Sequence, residues 1–163
     1  MILQLRLDER LIHGQITTAW SKALDVNAIV VANDRLPNDP LATKVLLMSA
    51  PAGKKVSVKP VDAAIKMLQD PRSEKMRIMI IVDNPTDVIR VAKGLDVKEI
   101  NIANYVKKKS TEEKVMITKG CNADPEDLAI FKQMCEELSD AHIFSQLIPS
   151  QSQTDFPAIV RKL

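Results

Sequence analysis

The sequence predicts an α/β fold: an open, mainly parallel sheet with helices on both faces. Three observations carry that expectation. Apolar, β-rich runs alternate with stretches of helical spacing, the pattern of βαβ units. Helix starts are marked by Asp39-Pro40, Asn84-Pro85 and Asp124-Pro125, each pairing a capping side chain with proline at the first helical position. The segment Met79-Ile80-Ile81-Val82 is apolar on both faces, as a central parallel strand must be.

Strands are expected at 2–7, 28–32, 55–58, 76–82, 99–103, 114–117 and 141–147. A first helix begins near Gln15. Val61, Ala64, Ile65 and Leu68 follow the i, i+3, i+4, i+7 rule, as do Leu128, Phe131, Cys135 and Leu138 in the longest predicted helix. Gly94 stands where a left-handed cap would close the helix begun at Asn84. No repeat, linker or low-complexity segment interrupts the chain, so residues 1–163 read as one domain.

Composition narrows the function. The chain is 45% hydrophobic but only 3% aromatic, so its core is built from Val, Ile, Leu, Met and Ala. With 23 basic and 21 acidic residues the charge is nearly balanced, and few aromatics are available for base stacking, so nucleic acid is not an expected partner. Lys107, Lys108 and Lys109 form a basic cluster that reads as a solvated surface. No apolar run approaches the ~20 residues that span a bilayer. The start Met1-Ile2-Leu3-Gln4 lacks a signal-peptide layout, so a cytoplasmic protein is expected. Cys121 and Cys135 form no CxxC pair and have no histidine close in sequence, so they read as inert thiols; neither a metal nor a cofactor is expected.

In open parallel sheets ligands sit outside the carboxyl ends of the strands. That rule nominates 8–14, 33–35, 83–86 and 103–105. The first of these holds His13, one of two histidines in the chain. An imidazole nitrogen can attack phosphorus, and the N–P bond formed is labile enough to pass the group on. Gly14 lets the backbone approach a ligand, the following helix start turns N–H groups toward an anion, and Arg10 and Arg6 offer planar charged donors for phosphate. A lone histidine is more often a core or surface residue without chemistry; its setting beside Gly14 and Arg10 is what lifts this one.

The loop Arg6-Leu7-Asp8-Glu9-Arg10-Leu11-Ile12-His13-Gly14-Gln15 closely resembles the active-site loop of the IIB components of the mannose/fructose/sorbose family of the bacterial sugar phosphotransferase system. Segment 29–34 resembles that family's second strand and acidic turn, 46–58 its next helix, turn and strand, Asn84-Pro85-Thr86-Asp87 its Asn-Pro-Thr-Asp element, and 97–102 its fifth strand. The resemblance implies a largely parallel seven-stranded sheet and the activity of a protein-phosphohistidine–sugar phosphotransferase. His13 would take phosphate, through Nδ1, from a IIA phosphohistidine and pass it to a sugar held by membrane IIC/IID partners, while Arg10 stabilises phosphoryl charge. Two departures stand out: Ala103-Asn104 where relatives commonly carry Gly-Gly, and Gln151 where an acidic residue is usual.

Asp34 and Asp83, expected at strand ends beside the His13 loop, either orient the imidazole or act as caps and turn residues; Asp8 and Glu9 carry the same ambiguity. Thr86 offers a hydroxyl or N–H to phosphate, or belongs only to the helix start, and Asn84 reads as a cap. His142, at the start of the last predicted strand, lies away from the carboxyl edge. Trp20 is core or partner-facing. Two rivals remain: a nucleotide-binding domain, disfavoured by the lack of GxGxxG or Walker A patterns, and a non-catalytic regulatory relative of the same fold. Neither the sugar nor the oligomeric state, a homodimer included, is fixed by the sequence.

Overall fold

The computed structural model describes residues 1–107 and 110–163. In chain order the elements are β1 (Ile2–Asp8), α1 (Gly14–Ala23), β2 (Ala28–Ala32), α2 (Pro40–Met48), β3 (Lys55–Lys59), α3 (Val61–Leu68), β4 (Ile78–Val82), α4 (Pro85–Leu95), β5 (Glu99–Asn104), β6 (Val115–Thr118), β7 (Cys121–Ala123), α5 (Pro125–Glu137), β8 (His142–Ser145), β9 (Thr154–Asp155) and α6 (Phe156–Val160). The main sheet has seven strands in the order β3-β2-β4-β1-β5-β8-β9. All its pairings are parallel except β8 with β9.

The number seven is met, but with a different member. Run 114–117 forms β6, which leaves the main sheet and pairs antiparallel with β7. A tight turn suffices for that pairing, whereas a place in the parallel sheet needs a crossover. Only Ile117 of the hairpin's first strand is buried; Val115 and Met116 face solvent. The seventh place goes to β9, two exposed polar residues at an edge, too short to leave an apolar signal.

Each Asx-Pro start is a working cap. Asp39 accepts from Ala42 N at 3.0 Å, Asn84 from Asp87 N at 2.9 Å and Asp124 from Asp127 N at 2.8 Å. Gly94 is not a cap: α4 continues to Leu95 and Asp96 takes the left-handed conformation (φ 52°, ψ 46°). Close packing of α4 on α3 explains the glycine, since a Cβ at 94 would lie 2.8 Å from Ile65 Cγ2.

Two cores flank the sheet. On one face α3, α4, α5 and α6 pack over Leu5, Leu7, Val30, Ile80, Ile100 and Ile102. On the other, Trp20 of α1 packs with Leu11, Ile12, Ile29, Val31, Met79 and Ile81. Met79, Ile80, Ile81 and Val82 are fully buried, as expected of a central strand. Helix α2 stands apart: none of its nine residues is buried.

The second face changes character at β1. Strand alternation turns Gln4, Arg6 and Asp8 toward it, all nearly fully buried, and Asn101 of β5 lies beside them. The chain just after β8 covers this polar column. Gln146 exchanges hydrogen bonds with Asn101 (2.9 and 3.0 Å), and the Leu147 carbonyl accepts from Arg6 Nη2 (3.2 Å) and Trp20 Nε1 (2.8 Å).

Candidate functional site

The β1–α1 loop is built from below. Asp8, at the carboxyl end of β1, is 1% exposed and holds two arginines. Its carboxylate accepts from Arg6 Nη2 at 3.3 Å, from Arg10 Nε at 3.2 Å and Nη2 at 3.4 Å, and from Arg10 N at 3.0 Å. Burial pushes the Arg6 guanidinium down, to about 10, against the opposing pull of Asp8. Arg6 also lies over the Trp20 ring, its Cζ 5.4 Å from the centroid. Leu11 adopts a left-handed φ of 60°, which an apolar side chain rarely takes. Its burial with Ile12 in the second core holds it there and turns the next residue outward.

That residue is His13. It is exposed and caps α1; its N–H donates to Thr17 Oγ1 at 2.8 Å while its carbonyl accepts from Ile16 N at 3.0 Å. Gly14 has φ +30° and nothing within 4 Å of where a Cβ would be, so the backbone is open to close approach from that side. An exposed imidazole, a half-exposed Arg10 pinned from beneath and the open first turn of α1 thus share one edge of the sheet.

Beside them lies an open cavity of about 1020 Å³ whose walls include Arg10, Arg35, Asp83, Asn104, Lys107 and Lys119. Ile16 also lines it, so residues on both sides of His13 in sequence border the cavity while His13 projects outside its lining. Glu9 closes one wall. Its carboxylate accepts from Val106 N at 3.0 Å and Lys107 N at 3.1 Å, and its own N–H donates to the Asn104 carbonyl at 2.8 Å.

The family model for "PTS system sorbose subfamily IIB component" matches residues 2–163, nearly the whole chain. The chain belongs to that family. A "probable phosphotransferase enzyme IIB component" of Streptococcus pyogenes is 33% identical over 163 residues, 98% of this chain and 99% of the relative. The mannose-specific EIIAB component of Escherichia coli K12 is 30% identical over 130 residues, 79% of this chain and 39% of that protein. Among solved structures, the IIBSor domain of the Klebsiella pneumoniae sorbose permease superposes with a TM-score of 0.88 at 26% identity, covering 99% of this chain and 97% of that one.

Within this IIB component the expected site residues separate. His13, Gly14 and Arg10 share the loop, and Asp83 joins Arg10 on the cavity wall, bonded to Arg35 and, at 2.9 Å, to Asn84 Nδ2. Arg6 lies beneath the site with its guanidinium already engaged by Asp8 and two carbonyls, so it supports Arg10 from below instead of facing a ligand. Asp34 belongs elsewhere. It caps α3 by accepting from Val61 N at 2.9 Å and pairs with Arg90 at 2.8 Å, and these contacts hold its carboxyl below the usual range. Thr86 is exposed on the first turn of α4 and does not line the cavity. Asn84 is the α4 cap expected of it. His142, at the start of β8, pairs with Glu99 at 3.0 Å.

Lys107 departs from the solvated surface expected of it. Its ammonium lies 2.9 Å from Asp124 Oδ2 and 2.8 Å from Asp127 Oδ2, both carboxylates nearly buried. Burial works against that charge, but the bonds to Asp127 and Asp124 outweigh it and raise the lysine pKa. Lys108 and Lys109 lie outside the described residues. Sequence reasoning left Asp8 and Glu9 undecided, reached Arg35 only as the end of the nominated segment 33–35 and passed over Lys119. A signal for Asp8 was present: in Leu3-Gln4-Leu5-Arg6-Leu7-Asp8 every second residue is polar, in a strand whose two faces both had to be covered.

Proposed function

We propose that this IIB component, acting as one domain, is a cytoplasmic phosphocarrier. His13 takes a phosphoryl group from a phosphohistidine on a IIA partner and passes it to a sugar held by membrane IIC/IID partners. The observation that carries this reading is the exposed His13 on the same β1–α1 loop as an Arg10 held by Asp8. An imidazole nitrogen of His13 attacks phosphorus; the N–P bond on the donor breaks as the new one forms, returning the donor imidazole. In the second step a sugar hydroxyl attacks phosphorus, loses its proton and frees His13. Arg10 stabilises charge on the equatorial oxygens, and the first N–H groups of α1 face them. Support for a IIA partner comes from the Escherichia coli relative, whose name joins A and B components in one chain. Among the described residues no helix is long and apolar enough to cross a membrane, in keeping with a carrier that docks on a permease.

The test is incubation with phosphoenolpyruvate, the general carrier proteins and a IIA partner, followed by mass spectrometry. One acid-labile phosphate on His13 is expected, and none in His13→Ala. Phosphate on a serine, threonine, cysteine or His142 with His13 unmodified would overturn the reading.

A further inference from the structure

We propose that Glu9 is a positioning residue that locks the wall formed by residues 104–107 to the His13 loop, and that this wall helps seat the phosphate-donating partner. The inference rests on the phosphocarrier reading and extends it to a residue with no contact to phosphate.

Four observations meet at Glu9. First, the residue is tied on both sides: its carboxylate takes the N–H groups of Val106 and Lys107, and its own N–H is bonded to Asn104. Two consecutive N–H groups converging on one carboxylate make a charge-assisted clamp. Second, regular structure gives out along the segment: Asn104 ends β5, Tyr105 makes one isolated bridge with Cys121, and Val106 and Lys107 belong to no strand or helix. Third, Lys107 has a left-handed φ of 48°, a conformation costly for a non-glycine residue, and is held there at both ends. Glu9 grips its N–H, and Asp124 and Asp127 at the start of α5 grip its ammonium. Tyr105 adds a hydrogen bond to Asp127 at 3.0 Å. The segment is therefore a bracket between the His13 loop and a helix of the opposite core. Fourth, the bracket's outer side lines the cavity through Asn104, Tyr105, Val106 and Lys107, next to Arg10. Asn104 is half-buried on that wall, with its carbonyl taken by the Glu9 N–H.

A wall at a fixed distance from the accepting imidazole lets one docking event align partner and nucleophile together. A wall cut loose must be ordered anew at each encounter, which weakens docking and leaves the chemistry of the seated complex unchanged.

Amide hydrogen exchange and transfer kinetics on the whole chain test this with Glu9→Ala and Glu9→Gln. In Glu9→Ala, exchange at Val106 and Lys107 should rise roughly ten- to hundredfold, the size expected for a lost charge-assisted pair of bonds, while Ile80 in β4 keeps its protection. The half-saturating concentration of phosphorylated IIA should rise by about tenfold, with turnover at saturation within about twofold of the parent. Glu9→Gln, which keeps one acceptor oxygen, should fall between. Unchanged exchange at 106 and 107 would overturn the clamp. A loosened wall with parent half-saturation would overturn its part in docking, and lost turnover at unchanged half-saturation would move Glu9 to the reacting atoms. If the parent chain takes no phosphate, the function fails and with it the docking role, and exchange decides the clamp alone.

Discussion

The two faces of β1 solve opposite problems with alternate residues of one strand. Leu5 and Leu7 face a core of aliphatic and aromatic side chains, where burial stabilises directly. Gln4, Arg6 and Asp8 face inward on the other side and are equally dry. A buried guanidinium and carboxylate together stabilise little, because desolvation offsets most of their attraction. What the polar face provides is position: Asp8 fixes Arg10 by backbone and side chain, and Arg6, stacked on Trp20 and held by the Leu147 carbonyl, fixes Asp8. One face holds the fold and the other aims the loop.

That division can be broken experimentally. The largest stability effect is expected from Asp8→Ala, which strands the Arg6 charge in the interior; chemical denaturation should show a loss of ~3–5 kcal/mol. The paired replacement Arg6→Met with Asp8→Leu should restore most of that stability, to within ~1 kcal/mol of the parent, while phosphate transfer stays depressed. A double variant that is stable and transfers normally would collapse the distinction between the faces.

Arg10→Ala should act on rate instead. Loss of a positioned charge at the reacting group lowers transfer roughly a hundred- to thousandfold, about 3–4 kcal/mol of barrier, in a chain with nearly the parent melting temperature. Arg10→Lys should recover only part, since an ammonium lacks the two-pronged donor geometry. Parent-like transfer in Arg10→Ala would shift the role to the backbone amides of α1. The smallest effect belongs to the apolar face: Ile80→Val should lower stability by ~0.5–1.5 kcal/mol and leave transfer kinetics unchanged.

The same contrast explains what could be read before the structure. Apolar periodicity reports the face that holds the fold, so β4, the buried stripe of α3 and the three Asx-Pro caps stand where the sequence put them. His13 is visible for another reason, being a rare residue type at a strand's carboxyl end. The polar face is harder, because Asp8, Glu9 and Lys107 act through partners distant in sequence: Glu9 meets residues 106 and 107, and Lys107 meets Asp124 and Asp127. Charge alone does not tell such a residue from a solvated one, hence the surface reading of Lys107. Gly94 misled because a glycine near a helix end has two uses, and here close packing against Ile65 overrides capping. Of the two uses expected of Asp34 the capping one is met: it follows β2, which lies beside β3, and its carboxylate accepts from Val61 where β3 gives way to α3.

Helix α2 carries a consequence for how the molecule moves. Its nine residues have no buried member, and Leu41 and Met48 are 74% and 78% exposed. Tertiary packing supplies most of a helix's stability in a folded protein, and a stretch this short is marginal on its own. With Asp39 holding its first turn and Leu46 as its partly buried contact with the second core, α2 sits at the low end of the local opening scale. It can unwind without disturbing β4, whose amides exchange only when the whole sheet opens. The fold is thus a rigid slab with one loosely fastened strap beside the edge strand β3, and thermal fraying is expected to begin there.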